Sequence, residues 1–398
     1  MPKGNFWNNV NKYFPWVLLI ASLIFGYKCA KGNDFLSYYD VGLNFRALLD
    51  NIYISGKYSG MLNHYPPLFA MLMVPLTFLP PLAAGYVFFL AKLACVICVL
   101  KILPEFFEDK KIPAVAFWLA FLISFRFILD DFKLGQVNTF LTAFLIFAIY
   151  LKNKNQFWFS ALFLSLAISI KIFPGLFLAY FLFKKEFKYT GICVFTLLVL
   201  NLLPALFYTS RYPSLLTHFV NESILNAAAD PNSGIANQSI YGMLMRYLGV
   251  NPTDTGEIKL VNFASFSFEK IKLIYYAFSL LFISLALAPA LKKNKSSDIY
   301  ALGNVFLVCL ILPMVVRKSN FVFVYFPALM LFAQMFKAKT QKSIKALLLW
   351  LPFVLLTFTA DGVIGRKLSN LAEAFSALTI GVIFLIVANS VNLFTSKK

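Results

Sequence analysis

The apolar stretch Trp16–Ala30, WVLLIASLIFGYKCA, is followed almost at once by the polar stretch Gly32–Asp40, GNDFLSYYD. The first stretch has the composition of a helix that inserts into a bilayer. No small-residue cleavage site separates it from the polar stretch, so we expect it to stay in the chain as an uncleaved first span. The sequence therefore opens as a membrane span that leads into a polar loop.

Apolar residues dominate the rest of the chain as well. Of its 398 residues, 60% are hydrophobic and only 13% are charged, whereas a soluble domain is about half apolar and a quarter charged. A soluble chain of this composition would have too little polar surface to cover itself. The sequence thus predicts an all-α, polytopic membrane helical bundle. Its further apolar runs cover roughly 66–80, 83–103, 112–129, 134–151, 156–170, 172–183, 189–209, 272–291, 299–316, 320–336, 345–359 and 371–394.

The run 66–80 is short and has prolines at both ends, which is typical of a re-entrant or interfacial helix. Without it about twelve spans remain, an even number, so both termini lie on one side. Lysine-rich short loops indicate that this side is the cytoplasm. We therefore predict a multi-pass protein of the cell inner (plasma) membrane. The predicted cytoplasmic segments are Glu105–Lys111, Lys152–Asn155, Lys184–Lys188, Lys292–Asp298, Lys337–Lys345 and the C-terminal lysines.

Two long polar segments then fall on the extracytoplasmic side, 31–65 and 210–268, and helices follow from 270 to 398. We interpret 1–398 as one integral membrane domain. The net charge of +19 suits anionic membrane lipids better than nucleic acid, because the lysines lie in short loops between spans. The Cys95-x-x-Cys98 pair has no second pair or histidine beside it, so we expect no metal site.

Asp34 lies a few residues beyond the first span, so its carboxylate is expected near headgroup depth. If the substrate is a sugar on a polyprenyl phosphate, its scissile bond lies at the same depth, where a carboxylate can take a proton from an acceptor hydroxyl. If this stretch is helical, Asp34 and Tyr38 share one face. The alternative role for Asp34 is a helix N-cap, for which aspartate is among the favoured residues.

Further polar side chains lie at the predicted outer ends of spans. Gln136 and Asn138 follow Asp130-Asp131, which we place in a loop between two spans, and buried amides need partners such as another helix or sugar hydroxyls. Lys171 lies between two apolar runs. Its ammonium can bind a lipid phosphate, or its side chain can extend to the membrane–water interface. Other candidates for binding sugar, acceptor or phosphate are Tyr39, His64, Tyr65, Asn237, Gln238, Arg246 and Arg317.

Five motifs in chain order resemble glycosyltransferase family 87, the polyprenol-phosphate-mannose-dependent mannosyltransferases with the GT-C membrane fold. The resemblance runs from about residue 16 to about residue 336. The motifs are Asp34-Phe35-x-x-Tyr38-Tyr39, Tyr65-Pro66-Pro67-Leu68 with Pro75-Leu76, Gly135-Gln136-Val137-Asn138, Lys171-Ile172-Phe173-Pro174 and Asn237-Gln238-Ser239 followed by Arg246. The Trp/His motif that family members often carry is replaced here by Phe321–Tyr325, so no histidine-assisted role carries over.

The resemblance implies an inverting hexosyltransferase (EC 2.4.1 type) of the cell envelope that needs no metal or other cofactor. Its donor would be a polyprenyl-phosphate-linked hexose, with mannose expected, and its acceptor a lipid or a glycan. Asp34 would be the catalytic base. Lys171, Arg246 and Arg317 would bind the donor phosphate, and the tyrosines, His64 and the amides would bind sugar and acceptor. A transporter or flippase of lipid-linked glycans, or a same-fold glycan polymerase or ligase, remains an alternative.

Overall fold

The computed structural model of the chain describes residues 22–107, 110–225, 234–250, 261–288, 295–337 and 343–395. Its regular structure is helical within these ranges, apart from one isolated bridge between Gly249 and Phe266. The predicted all-α class is thus confirmed for the described part of the chain. We number its α-helices α1 (22–30), α2 (Asn33–Arg46), α3 (Pro67–Met73), α4 (Pro81–Ile102), α5 (Ala114–Leu134), α6 (Asn138–Asn153), α7 (Phe157–Ile170), α8 (Gly175–Phe183), α9 (Phe187–Leu202), α10 (Ala205–Tyr208), α11 (Tyr212–Phe219), α12 (Ile240–Leu248), α13 (Phe268–Leu287), α14 (Lys295–Ile311), α15 (Tyr325–Lys337), α16 (Ser343–Thr357), α17 (Asp361–Ile364), α18 (Arg366–Ala374) and α19 (Ala377–Thr395).

Four helical segments of the described chain are long and apolar enough to cross a membrane: Pro81–Phe106, Phe187–Leu225, Phe268–Leu287 and Lys318–Phe336. Two bent pairs raise the number to six when each pair is counted as one span. These pairs are α5 with α6, bent by 119°, and α18 with α19, bent by 56°. Most of the remaining apolar helices have only 10–17 residues, which corresponds to about 15–26 Å against a hydrocarbon core of about 30 Å. The number of about twelve spans therefore stays a prediction.

The run 66–80 forms a short helical segment, as its prolines indicate. α3 starts at Pro67 and continues into a 3₁₀ turn, Val74–Phe78, after which Leu79 is extended. Pro67 is tolerated at the first helical position, where its missing N–H has no intrahelical partner in any case. The segment packs against α2, whose Arg46 donates to the carbonyl and the hydroxyl of Thr77.

Two sets of helices meet around α5 and α6. In the first set, α6 packs against α4 and α7, and α7 packs against α9. In the second set, α14 packs against α15 and α19, and α16 also packs against α19. α5 packs against α15 and against the 3₁₀ segment Lys318–Val324 of this second set. α5 and α6 together therefore contact helices from both halves of the chain.

Ion pairs join several of the loops that were predicted to be cytoplasmic. Lys154 lies 2.7 Å from Glu105, and Lys152 lies 2.6 Å from Glu186. Lys184 pairs with Asp298. These loops thus lie at one end of the helices, which agrees with their shared placement, while the side of the membrane that they face stays a prediction.

Candidate active site

Two glycines let the start of α2 approach the end of α5 closely. Gly135 ends α5 in the left-handed conformation, with φ of +70°, and a Cβ at this position would lie 2.4 Å from the Cβ of Phe35. At Gly32, the residue before α2, a Cβ would lie 2.4 Å from the carbonyl oxygen of Leu134. Only glycine fits at either position without a shift of the backbone. The close approach places Asp34, in the first turn of α2, beside Gln136.

Gln136 links the Asp34 carboxyl to two tyrosines. The Tyr38 hydroxyl donates to Gln136 Oε1 at 2.9 Å and lies 2.9 Å from the Tyr65 hydroxyl, which is 3.4 Å from the same Oε1. Gln136 also hydrogen-bonds the side chain of Asp34. Since its oxygen accepts from the tyrosines, its amide nitrogen is the group that donates to the carboxylate. Asp34 and Tyr38 lie one turn apart on α2, as their spacing predicts.

A second amide, that of Asn138, contacts Lys171. We call the residues joined by these contacts the cluster: Asp34, Tyr38, Tyr65, Gln136, Asn138 and Lys171. The Lys171 ammonium donates to Asn138 Oδ1 at 2.7 Å, and the Asn138 amide nitrogen donates to Asn320 Oδ1 at 3.4 Å. The ammonium also lies 5.8 Å from the centre of the Tyr65 ring, within the range of a cation–π contact. Lys171 is the extended residue between α7 and α8, where the helical backbone breaks before Pro174.

The pKa of Asp34 depends on the charges and hydrogen bonds of these neighbouring groups. Burial raises the pKa of the Asp34 carboxyl above its usual value, and the nearby charge of Asp131 adds to this effect. The hydrogen bond from Gln136 and the positive charges of Lys171 and Arg317 act in the opposite direction. A partly buried carboxylate with a raised pKa beside specific charged partners is a candidate for a functional site.

The family model described as Glycosyltransferase family 87 matches residues 63–316, which is more than half of the chain. The chain belongs to glycosyltransferase family 87. It is a membrane glycosyltransferase, and its substrates are accordingly a sugar donor and an acceptor. Of the cluster, Tyr65, Gln136, Asn138 and Lys171 lie within the matched region, whereas Asp34 and Tyr38 lie outside it, as does Arg317. No curated protein and no solved structure matches the chain.

Two local predictions for the glycosyltransferase can be compared with its structure. The N-cap of α2 is Gly32, so Asp34 is not the N-cap residue but lies in the first turn. Asp130 and Asp131 were expected in a loop, and this is wrong, because α5 continues through both to Leu134. The Gly135 C-cap, rather than the acidic pair, ends that helix.

Tyr39 and His64 lie apart from the cluster. The Tyr39 hydroxyl donates to the carbonyl oxygen of Leu79 at 2.8 Å, and its ring packs edge-on against Tyr58. Successive residues of a helix point about 100° apart, so Tyr38 and Tyr39 cannot both face Gln136. The side chain of His64 is exposed beside Tyr65. The proposed sugar-binding roles of Tyr39 and His64 therefore stay predictions, without a contact to the cluster in the described structure.

Asn237, Gln238 and Arg246 are buried in a second polar cluster that holds loops together. Arg246 donates to the carbonyl oxygens of Gly234, Asn237 and Ala374 and to the Ser376 hydroxyl. The structure thus uses this guanidinium within the fold and does not bring it to Asp34. Its predicted contact with the donor phosphate has no support in these hydrogen bonds.

The two amides of this second cluster tie the loop before α12 to the chain near residue 316. Asn237 donates to the Met314 carbonyl and accepts the Val316 N–H, and the Gln238 N–H donates to the Val316 carbonyl. Arg317 follows directly, and its side chain is exposed. Asn237 and Gln238 therefore fix the backbone that leads to Arg317, whereas their predicted contact with substrate hydroxyls stays a prediction.

Sequence reasoning did not assign a role to Lys92 or to Asn320. Lys92 forms a fully buried ion pair with Asp131, and Asn320 accepts from Asn138. The sequence did contain a signal for Lys92, because it lies in the middle of the apolar run 83–103 and charges at membrane depth usually serve a site. The contact of Asn320 depends on how the 3₁₀ segment Lys318–Val324 packs against α6, which local sequence does not reveal.

Gly135→Ala should destabilise the protein and displace α2 from α5. The left-handed backbone alone costs about 1–2 kcal/mol for a residue with a Cβ, and the contact with Phe35 adds to this cost. The melting temperature of the detergent-solubilised protein should therefore fall by several degrees. Gly191→Ala is the matched control, because Gly191 lies in α9 with nothing within 4 Å of an added Cβ. An unchanged melting temperature for Gly135→Ala would contradict the close approach.

Proposed function

We propose that this glycosyltransferase moves a hexose, specifically mannose, from a polyprenyl-phosphate carrier to a hydroxyl of a lipid or glycan acceptor, with inversion. The observation that supports the proposal most directly is the cluster around Gln136 and Asn138. It brings a carboxylate of raised pKa, Asp34, together with the Lys171 ammonium. A base and a cation at one site suit a reaction that takes a proton from an acceptor and releases a phosphate.

In the proposed reaction, Asp34 accepts the proton of the acceptor hydroxyl as the hydroxyl oxygen bonds to the anomeric carbon. The bond from that carbon to the phosphate oxygen breaks, and its electron pair leaves with the polyprenyl phosphate. The anomeric carbon passes through an oxocarbenium-like state, as in glycosidases. Attack from the face opposite the leaving phosphate inverts the configuration.

The other side chains have distinct parts in this proposal. Lys171 and Arg317 offset the charge that grows on the departing phosphate. Gln136 orients the Asp34 carboxylate and, with Tyr38 and Tyr65, contacts hydroxyls of the sugar or the acceptor. Lys171 is already positioned by its bond to Asn138, so little reorganisation is needed when the phosphate binds.

The proposed membrane topology is that of a GT-C protein with about twelve spans, cytoplasmic termini and an extracytoplasmic active site. The ion pairs that gather the lysine-rich loops at one end of the helices support it. A cysteine placed at Ser55, an exposed position in the first predicted outer loop, should react with a membrane-impermeant maleimide in intact cells. Reaction only after lysis would contradict this orientation.

Transfer from a lipid carrier tests the function directly. The purified protein would be reconstituted in lipid vesicles with a synthetic polyprenyl-phosphate mannose that carries a radiolabel and with membrane extract as acceptor. The label should move to a glycolipid or glycan, and carriers with glucose or galactose should donate more slowly. Passage of the carrier across the bilayer without glycosidic bond formation would favour a flippase. Transfer only from a nucleotide sugar would also contradict the proposal.

The pH dependence of kcat/KM should be bell-shaped. Asp34 acts as a base only when ionised, and its pKa is raised, so activity should rise with pH on a limb above the ordinary aspartate pKa of about 4. Burial lowers the pKa of Lys171 to about 8, so activity should fall as pH rises through that value and the ammonium loses its proton. Lys171→Arg should remove the alkaline limb, because a guanidinium stays charged. A rate that is constant down to about pH 4 would contradict the role of Asp34.

A further inference from the structure

A buried ion pair lies next to the cluster, and the reaction proposed above does not use it. Lys92 Nζ lies 2.6 Å from Asp131 Oδ2, and both side chains are 0% exposed. The same ammonium donates to the backbone carbonyl of Asp131 at 2.8 Å. Lys92 comes from the middle of α4, a helix apolar enough to cross a membrane. Charges at such a depth are costly and usually serve a site.

Asp131 connects this ion pair to the first turn of α6. Its Oδ1 accepts the backbone N–H of Asn138 at 3.1 Å, and its Oδ2 accepts the Thr139 hydroxyl at 2.5 Å. The first N–H groups of a helix have no intrahelical partner, and an outside acceptor satisfies them. Val137, the N-cap residue of α6, makes no such side-chain bond. Asp131 therefore caps α6 from the preceding helix.

The backbone carbonyl of Asp131 binds the start of the turn between α5 and α6, whereas its side chain binds the end of that turn. Its carbonyl oxygen accepts the N–H of Gln136 at 2.9 Å, in addition to the ammonium of the ion pair. The Gln136 side chain contacts Asp34, and the Asn138 side chain accepts the bond from Lys171. One residue thus holds the backbone of both amides that contact the proposed base and the proposed phosphate-binding group.

We propose that Lys92 and Asp131 are positioning residues of the active site, which hold the turn between α5 and α6 so that its two amides face the base and the ammonium. This inference rests on the function proposed above for Asp34 and Lys171. The pair touches no reacting atom and acts through the turn. Lys92 is needed because the buried carboxylate that accepts both bonds from α6 is costly without a compensating charge.

The pair also shapes the electrostatics of Lys171. The charges of Asp131 and Asp34 face its ammonium and favour the protonated form, whereas burial favours the neutral form. Lys92, on α4, pairs with Asp131 itself, and the Lys171 ammonium lies 5.8 Å from the centre of the Tyr65 ring. Asp131 and Asp34 are the charges that act most on Lys171, so replacing Lys92 and Asp131 together should still make Lys171 release its proton at lower pH.

The competing explanation is that the ion pair between Lys92 and Asp131 serves only the stability of the fold. Breaking a buried pair leaves an uncompensated charge, and single variants would report mainly on that penalty. Replacing both partners by uncharged residues of similar volume is often neutral or stabilising. Two double variants therefore separate positioning from folding. Lys92→Met/Asp131→Asn keeps an oxygen that can accept the Asn138 N–H, and Lys92→Met/Asp131→Leu keeps none.

Both double variants would be compared with the wild type for melting temperature, kcat and the pH profile of transfer. We expect Lys92→Met/Asp131→Leu to lose about tenfold to a hundredfold in kcat, because a small misplacement of catalytic groups costs that much. Lys92→Met/Asp131→Asn should lose less and should show an alkaline limb at lower pH. Wild-type kcat in the folded Leu variant, or an unchanged alkaline limb in the Asn variant, would overturn the inference. Failure of both variants to fold would also overturn it, since the pair would then serve the fold.

A readout that does not depend on transfer keeps this test separate from that of the function. The reactivity of Lys171 towards an amine-acylating reagent can be followed by mass spectrometry across pH in the wild type and in Lys92→Met/Asp131→Asn. The midpoint should lie at lower pH in the double variant. An unchanged midpoint counts against the positioning pair, whereas absence of transfer in the wild type counts only against the proposed function.

Discussion

Asp34→Asn should lower kcat for sugar transfer by about 10²- to 10⁴-fold, the usual contribution of a general base. The substitution keeps the size of the side chain and its ability to accept hydrogen bonds, but an amide cannot take the acceptor proton. Because Asp34 is only partly buried and Gly32 caps α2, the protein should remain folded. The KM for the donor should change little, since Lys171 and Arg317 still face the phosphate.

Asp50→Asn is the matched control for this experiment. Asp50 belongs to the same polar segment, and its side chain is 80% exposed and pairs with Arg211 at 2.9 Å. An exposed ion pair contributes about 0–1 kcal/mol, so this variant should keep both the stability and the rate of the wild type. Equal rates for Asp34→Asn and the wild type, with unchanged melting temperatures, would remove Asp34 from the mechanism. Equal losses in both variants would point to the loop as a whole.

The helices that carry the site are those that the sequence predicts most directly. Proline and glycine mark some of their ends: Pro67 takes the first position of α3, and Gly135 ends α5, although the predicted run 112–129 stopped short of that glycine. The runs 83–103 and 156–170 correspond closely to α4 and α7. These boundaries follow from local steric rules, and a single sequence contains that information.

The helix boundaries that sequence analysis did not predict depend on tertiary contacts. The run 371–394 appears continuous, but the structure divides it into α18 and α19 with a 56° bend. Ser376, at the break, has φ of +54° and accepts from Arg246. A partner more than a hundred residues away thus decides where the helix is interrupted, and no local pattern contains that partner.

The residues of the candidate site also differ in how far local sequence predicts their contacts. Asp34 and Tyr38 are brought together by helical spacing on α2, and Gln136 and Asn138 by their closeness in the turn that leads into α6. Arg246 was predicted to bind phosphate because it follows two amides in sequence, yet it lies among carbonyl oxygens that satisfy it. A charge in a sequence indicates that a partner exists. It does not indicate whether that partner is a ligand or the backbone of another loop.

Lys171→Met should lower kcat by about 10²- to 10³-fold, the range observed when one pre-placed stabilising group is removed from a developing anion. Methionine has a similar length and tolerates the apolar surroundings, but it leaves the growing charge on the phosphate without its closest buried cation. Asn138 Oδ1 also loses the donor that fixes it at 2.7 Å. Arg317 is exposed, so solvent screens its charge and it cannot replace Lys171.

The released carrier lipid gives the sharpest readout for Lys171. Polyprenyl phosphate without a sugar carries the charge of the leaving group, and it should inhibit the wild type far more strongly than Lys171→Met, while the KM for the acceptor stays nearly constant. Lys57→Met, at an exposed position of the same polar segment as Asp34, should leave both the rate and the inhibition unchanged. Lys171→Arg should recover part of the rate, because it restores the charge without the compact geometry of the ammonium. If Lys171→Met binds the product lipid as tightly as the wild type does, the lysine serves only as a partner of Asn138, and the phosphate is held elsewhere.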